Sequence, residues 1–200
     1  MPASSATVLR AEPGTFVPCG WDAPAGRRRG PGPVTRVAAS RLGSLQGVAL
    51  KARTLTAAVG DDGPLLEAAA ILHDVGYAPH LAKTGFHPLD GAIYLRGLDA
   101  PDRLVHLVAR HSCAVREARL RGLDGQLAAF HDEEGPVRDA LWMCDLTTTP
   151  DGEPTDFASR VAEIKERYGP GDLVTVFIDS AQQDLADAIA RTSSRLVRRR

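Results

Sequence analysis

The chain has 200 residues, with 24 Lys and Arg against 25 Asp and Glu, a formal net charge of -1. At 44% hydrophobic and 24% charged it has the make-up of an ordinary globular protein of about one domain. The charge balance excludes a general pull toward nucleic acid polymers or anionic membranes, and 5% aromatic residues leave little for base stacking.

Cys19, Cys113 and Cys144 are far apart and show no CxxC spacing, which argues against a disulfide framework or a structural zinc site. Free thiols suit a reducing cytosol, so the expected location is cytoplasmic. No apolar run approaches the roughly 20 residues of a membrane span. The N-terminus lacks a charged-then-apolar signal pattern.

Residues 1–33 are dense in Pro and Gly, end in GRRRGPGP and show no apolar period, which predicts a disordered or loosely packed leader. Arg27, Arg28 and Arg29 within it read as a solvated charge cluster. Residues 34–200 read as one helical domain. Val37, Leu45, Val48, Ala49, Ala52 and Leu55 recur at three- and four-residue steps and predict a first helix that stops near Gly60. Asp61-Asp62-Gly63-Pro64 supplies a turn and a proline for the first position of a second helix. That helix runs to His73-Asp74 and is over by Pro79. Residues 79–85 read as a loop, and Pro88 opens a third helix over 89–98. A fourth starts at Ala100-Pro101-Asp102 and ends near His111. Short pieces over 115–121 and 126–130 precede a strong helix over 133–148, with acids in its first turn and Pro136 near its start. Helices over 156–168 and 172–196 complete the domain. The VTVFI run at 174–178 has the composition of a strand, a local sign against an all-α fold.

The informative polar residues are those on apolar faces. Leu65, Leu66, Ala69 and Leu72 form the inward stripe of the second helix, and His73 extends it one turn past Ala69. Asp74 sits at the edge of that stripe. In the fourth helix His111 continues the line of Leu104, Leu107 and Val108, whereas His106 falls on the polar face with Asp102, Arg103 and Arg110. Asp145 follows Leu141 by four residues and Val137 by eight, so it is an inward acid in need of a partner. His87, just before Pro88, sits at a helix N-cap, where a side chain can bend toward a cleft. Singly, each has a plainer reading: an inward histidine is more often a hydrogen-bonded core residue, and Asp145 alone could be a cap or half of a buried ion pair. Together, His73, Asp74, His87, His111 and Asp145 make a convergent set of imidazoles and carboxylates. A buried carboxylate must be paired, hydrogen-bonded or bound to a metal, and neutral imidazole is the commonest metal ligand. The mixture suits one or two divalent ions, Mn, Fe, Co, Ni or Zn, with Mg also open. His80, His106 and His131 read as loop or surface residues.

These residues carry a family resemblance. The chain resembles the HD-domain superfamily, all-α metal-dependent phosphohydrolases named for an adjacent His-Asp pair. AILHDVGY is similar to the HD motif itself, FHPLDGA to the HPxxGA segment of two-metal members, VARHSC to the place of the next ligand histidine, and WMCDLTT to the helix bearing the final aspartate. The resemblance spans about residues 34–168. It implies that His73, Asp74 and Asp145 bind a first metal, and that His87 and His111 bind a second with Asp74 bridging. The family also carries a histidine in its first helix; here no histidine precedes His73, and Ser44 holds the matching place. Hydroxyl is a poor ligand beside imidazole.

The resemblance implies hydrolysis of a small phosphate ester, with nucleotides as a candidate class and Asp74 orienting the water as well as ligating. Lys83 and Arg110 are candidate phosphate contacts, with solvated surface charge as the alternative. Thr147 and Thr148 either hydrogen-bond near Asp145 or end its helix. Two other readings stay open: an HD-fold di-iron oxygenase, and a catalytically degenerate HD protein that only binds a ligand.

Overall fold

The computed structural model describes residues 46–198. The expected leader over 1–33 and the position of Ser44 lie outside the described residues. Helix α1 covers 46–54 and α2 covers Thr56–Val59. Next come α3 (Gly63–Leu72), α4 (His87–Gly97), α5 (Asp102–Arg110), α6 (Ala114–Arg121) and α7 (Asp124–Leu127). The chain closes with α8 (Pro136–Leu146), α9 (Phe157–Tyr168) and α10 (Leu173–Arg198). Three single 3-10 turns, Gly60–Asp62, Val75–Tyr77 and His111–Cys113, lie between them. The fold is all-α: among the described residues the one strand-like contact is an isolated bridge between Thr148 and Pro154.

The elements sit close to where hydrophobic period and punctuation put them. Asp62 flanks α3 with Pro64 in its first turn, and Gly122 ends α6 in the left-handed conformation that glycine tolerates. Helix α4 begins at His87, two residues ahead of the 89–98 expected, with Phe86 rather than His87 at its N-cap. Helix α8 is shorter at both ends than the 133–148 expected: it opens at Pro136 after Gly135, and past Leu146 Thr147 and Thr148 turn their hydroxyls back onto the carbonyls of Met143 and Cys144 (2.6 and 2.8 Å). The strand-like 174–178 run is helical. Thr175, Phe177 and Ile178 begin the same buried stripe as Ala181, Leu185, Ala188 and Thr192, so packing overrides β-propensity there.

Two apolar clusters share α8. Val137, Ala140, Leu141 and Cys144 join the larger cluster, which includes Leu66, Ala69, Leu89, Leu107 and Val108 and extends to Ala118 of α6 and Leu127 of α7. Trp142 and Leu146 join a second, formed with α9 and α10 through Val161, Ile164, Phe177 and Leu185. Each fully buried leucine here contributes about 2 kcal/mol by leaving water. A buried carboxylate pins α10: Asp139 on α8 accepts from Arg191 and Arg195 at 2.8–2.9 Å. Arg103 on α5 similarly ties Asp62, ahead of α3, to Glu133, ahead of α8. No helix among the described residues is long and apolar enough to cross a membrane. Held between both clusters, α8 carries Asp145 to the ends of α3, α4 and α5.

Candidate metal centre

Helix α3 ends at Leu72, with His73 still in helical geometry (φ -55°, ψ -37°). The backbone changes at Asp74 (φ -96°, ψ 7°) and enters the 3-10 turn Val75–Tyr77. That change lets two neighbours in sequence reach one centre. The turn then lies directly on the first turn of α4. A Cβ on Gly76 would stand 2.0 Å from the carbonyl oxygen of His87 and 2.6 Å from the amide nitrogen of Gly91. No side chain fits there, so Gly76 sets the approach of Asp74 to His87.

The structure brings His73, Asp74, His87, His111 and Asp145 together. Asp74 Oδ1 is the hub, 3.3 Å from His87 Nε2, 3.5 Å from His73 Nε2 and 4.0 Å from His111 Nε2. His87 Nε2 and His111 Nε2 are 3.0 Å apart. Asp145 Oδ1 lies 3.7 Å from His73 Nε2. Two imidazoles are aimed by the backbone. His73 Nδ1 is 2.8 Å from the carbonyl of Ala70, and His111 Nδ1 is 2.7 Å from that of Val108. A carbonyl can only accept, so both Nδ1 atoms carry the hydrogen and both Nε2 atoms are left to offer a lone pair to a cation at the centre.

The fit to a cation follows from one buried atom. His73 is fully buried, and its Nε2 has no hydrogen-bond partner. Carboxylate oxygens stand around it at distances too long for good hydrogen bonds. Ligands about 2.1 Å from an ion lie ~3.0 Å apart at right angles and ~4.2 Å apart across it. The separations around Asp74 Oδ1 fall in that span, and Asp74, His87 and His111 form the tightest group.

Charge follows the same layout. Burial opposes the protonated form of His73, yet Asp74 and Asp145 outweigh it and raise the pKa to about 9. A divalent cation bound there would meet the same two carboxylates that favour the charged ring. Burial, then the neighbouring imidazoles, hold His87 well below the ordinary histidine range, and burial and His73 lower His111. Burial works against the charge of Asp145, but His73, His111 and, further out, Arg160 hold its carboxyl far below the usual range.

Residues outside the expected set also shape the centre. Ser112, in a left-handed turn, donates its hydroxyl to Asp145 Oδ2. Tyr77 stacks on His87, ring centroids 3.9 Å apart. Asp90 is buried and accepts from the backbone amides of Lys83 and Thr84, tying down the loop ahead of α4. Local polarity patterns carried no sign of these contacts, apart from the position of Asp90 in the first turn of α4.

The two candidate phosphate contacts fare differently. Lys83 is exposed on the loop tied by Asp90. Arg110 is committed elsewhere: its guanidinium donates to the carbonyls of Phe130 (2.6 and 2.9 Å) and Leu127 (3.1 Å) and caps the end of α7. His80 and His131 are exposed, and His106 is half-buried against Phe130 and His131.

A family model described as the HD domain matches residues 45–141. The chain belongs to the HD-domain superfamily. The matched stretch includes His73, Asp74, His87 and His111, and Asp145 follows just beyond it. No curated protein and no solved structure matches the chain. HD-domain proteins are mostly metal-dependent hydrolases of the phosphohydrolase type and bind divalent metals, and the Asp74, His87 and His111 group of this HD domain is a possible metal site.

Proposed function

We propose that this HD protein is a phosphohydrolase that acts on a small phosphate ester, with nucleotides as the candidate class, and that His73, Asp74, His87, His111 and Asp145 hold one or two divalent ions of the Mn, Fe, Co, Ni, Zn or Mg group. The observation that carries the reading is the buried, unpartnered Nε2 of His73 amid the side chains gathered on Asp74 Oδ1. A bound divalent ion supplies a hydroxide-like nucleophile near neutral pH and offsets charge on a phosphoryl oxygen.

The chain's own residues do the rest. His73 and His111 are pre-aimed by their Nδ1 bonds, which keeps reorganisation small. Asp74 both ligates and orients the attacking water, as its hub position supports. Lys83 approaches the phosphate from the loop held by Asp90. Arg121 and Arg160 add positive field, felt respectively at His87 and Asp145, and Arg160 Nε is buried without a partner. The protein works on a small molecule in the cytoplasm, without a nucleic acid polymer or membrane as partner.

The test is metal analysis of the purified full chain, then phosphate release from p-nitrophenyl phosphate and a nucleotide panel with added Mn, Co, Ni or Mg. Metal-dependent release that D74N and H111A abolish is the expected result. Ser44→His is expected to raise occupancy. Absence of bound metal and of turnover in both the natural chain and Ser44→His overturns the reading. Iron with oxygen uptake and no phosphate release replaces it with an oxygenase.

A further inference from the structure

We propose that Ser112 is a positioning residue that joins the two halves of the metal centre by presenting one chosen oxygen of Asp145 to it. The inference rests on the metal-dependent reading above and assigns a role to a side chain outside the ligand set.

Ser112 follows His111 directly, so its backbone is tied to the group formed by Asp74, His87 and His111. Its hydroxyl crosses to α8 and donates to Asp145 Oδ2. The other oxygen, Oδ1, is the one that lies 3.7 Å from His73 Nε2. The hydroxyl therefore occupies one carboxylate oxygen and leaves the second to face the centre. Without it, the carboxylate is free to rotate or to offer both oxygens at once.

The backbone supports the assignment. Ser112 (φ 46°, ψ 42°) and Cys113 (φ 60°, ψ 34°) are consecutive left-handed residues, and neither is glycine. L-residues rarely adopt that conformation, and strain of this kind gathers where a site needs a particular aim. Two side chains of α8 grip the turn: Trp142 Nε1 donates to the carbonyl of Arg110 at 3.1 Å, and Asp145 accepts from Ser112. The hydroxyl of Ser112 is thus spent on a ligand-type carboxylate, and the first residue of α6's N-terminal boundary, Cys113, makes no side-chain cap.

The test titrates the metal-stripped full chain with Co(II), following visible absorption and heat, for the natural protein, S112A, S112G, D145N and S112A/D145N. S112A and S112G are each expected to weaken Co(II) binding by about 10–100-fold, the range for lost outer-sphere bonds. S112A is expected to add nothing in the D145N background. Glycine relieves the left-handed strain, so a merely structural Ser112 would leave S112G with natural Co(II) affinity and a raised melting temperature. Natural affinity in both Ser112 variants overturns the inference, as does an undiminished effect of S112A in D145N. A natural chain that binds Co(II) but hydrolyses nothing removes the proposed activity and leaves this inference standing. A natural chain that binds no metal removes both.

Discussion

His87 opens α4 and His111 lies 24 positions on, in the 3-10 turn after α5, and their Nε2 atoms meet at 3.0 Å. With His111 Nδ1 donating to Val108, the Nε2 of His111 presents a lone pair. His87 Nε2 can meet it by donating a hydrogen, or both nitrogens can share a cation lying between them. H87A and H111A are each expected to lower bound metal per chain below detection, a larger loss than the about 10–100-fold of an outer-sphere change. Elemental analysis after gel filtration checks this, and full occupancy in either variant would contradict it.

Gly76 is where the HD turn rests on α4. A methyl there meets the His87 carbonyl at 2.0 Å, and that obstacle is backbone that cannot swing aside. G76A is expected to destabilise the fold by about 1–3 kcal/mol through overpacking, and to weaken metal binding because Asp74 and His87 are driven apart. Denaturant unfolding and Co(II) titration report the two effects separately.

The bonds that Arg110 makes are structural ones. It satisfies carbonyls of Leu127 and Phe130, which R110A leaves without that donor. The expected cost is about 1–3 kcal/mol of unfolding free energy. KM for any phosphate ester the protein hydrolyses is expected to stay unchanged. A raised KM with natural stability would return Arg110 to the substrate-binding role.

Asp139 supplies a pH dependence outside the metal centre. Burial opposes its charge, but Arg191 and Arg195 outweigh burial and hold the carboxyl below the ordinary aspartate range. A lowered folded pKa means that the contribution is complete above the unfolded value and disappears as pH falls through the folded one. Acid unfolding is therefore expected to be less steep in D139N than in the natural chain below about pH 4. At neutral pH D139N is expected to cost about 3 kcal/mol, since it leaves two arginines without their shared partner. Thermal melts from pH 7 to pH 2 measure both.

Much of the molecule was legible in the chain because its causes are local. Apolar spacing and the Pro and Gly stops located the helices, and the same spacing set His73, His111 and Asp145 on inward faces. What the sequence alone left open depended on partners far along the chain. Arg110 reads as a surface cation until Phe130 and Leu127 fold beneath it, and nothing in the local pattern marks Asp139 before α10 brings its arginines. Only the packed helices decided that Gly76 touches His87, that the 174–178 run is helical, and that Ser112 leaves the helical conformation to reach Asp145. Hydrophobic period reports which face turns inward, while the contact made there is chosen when separate helices close on one another.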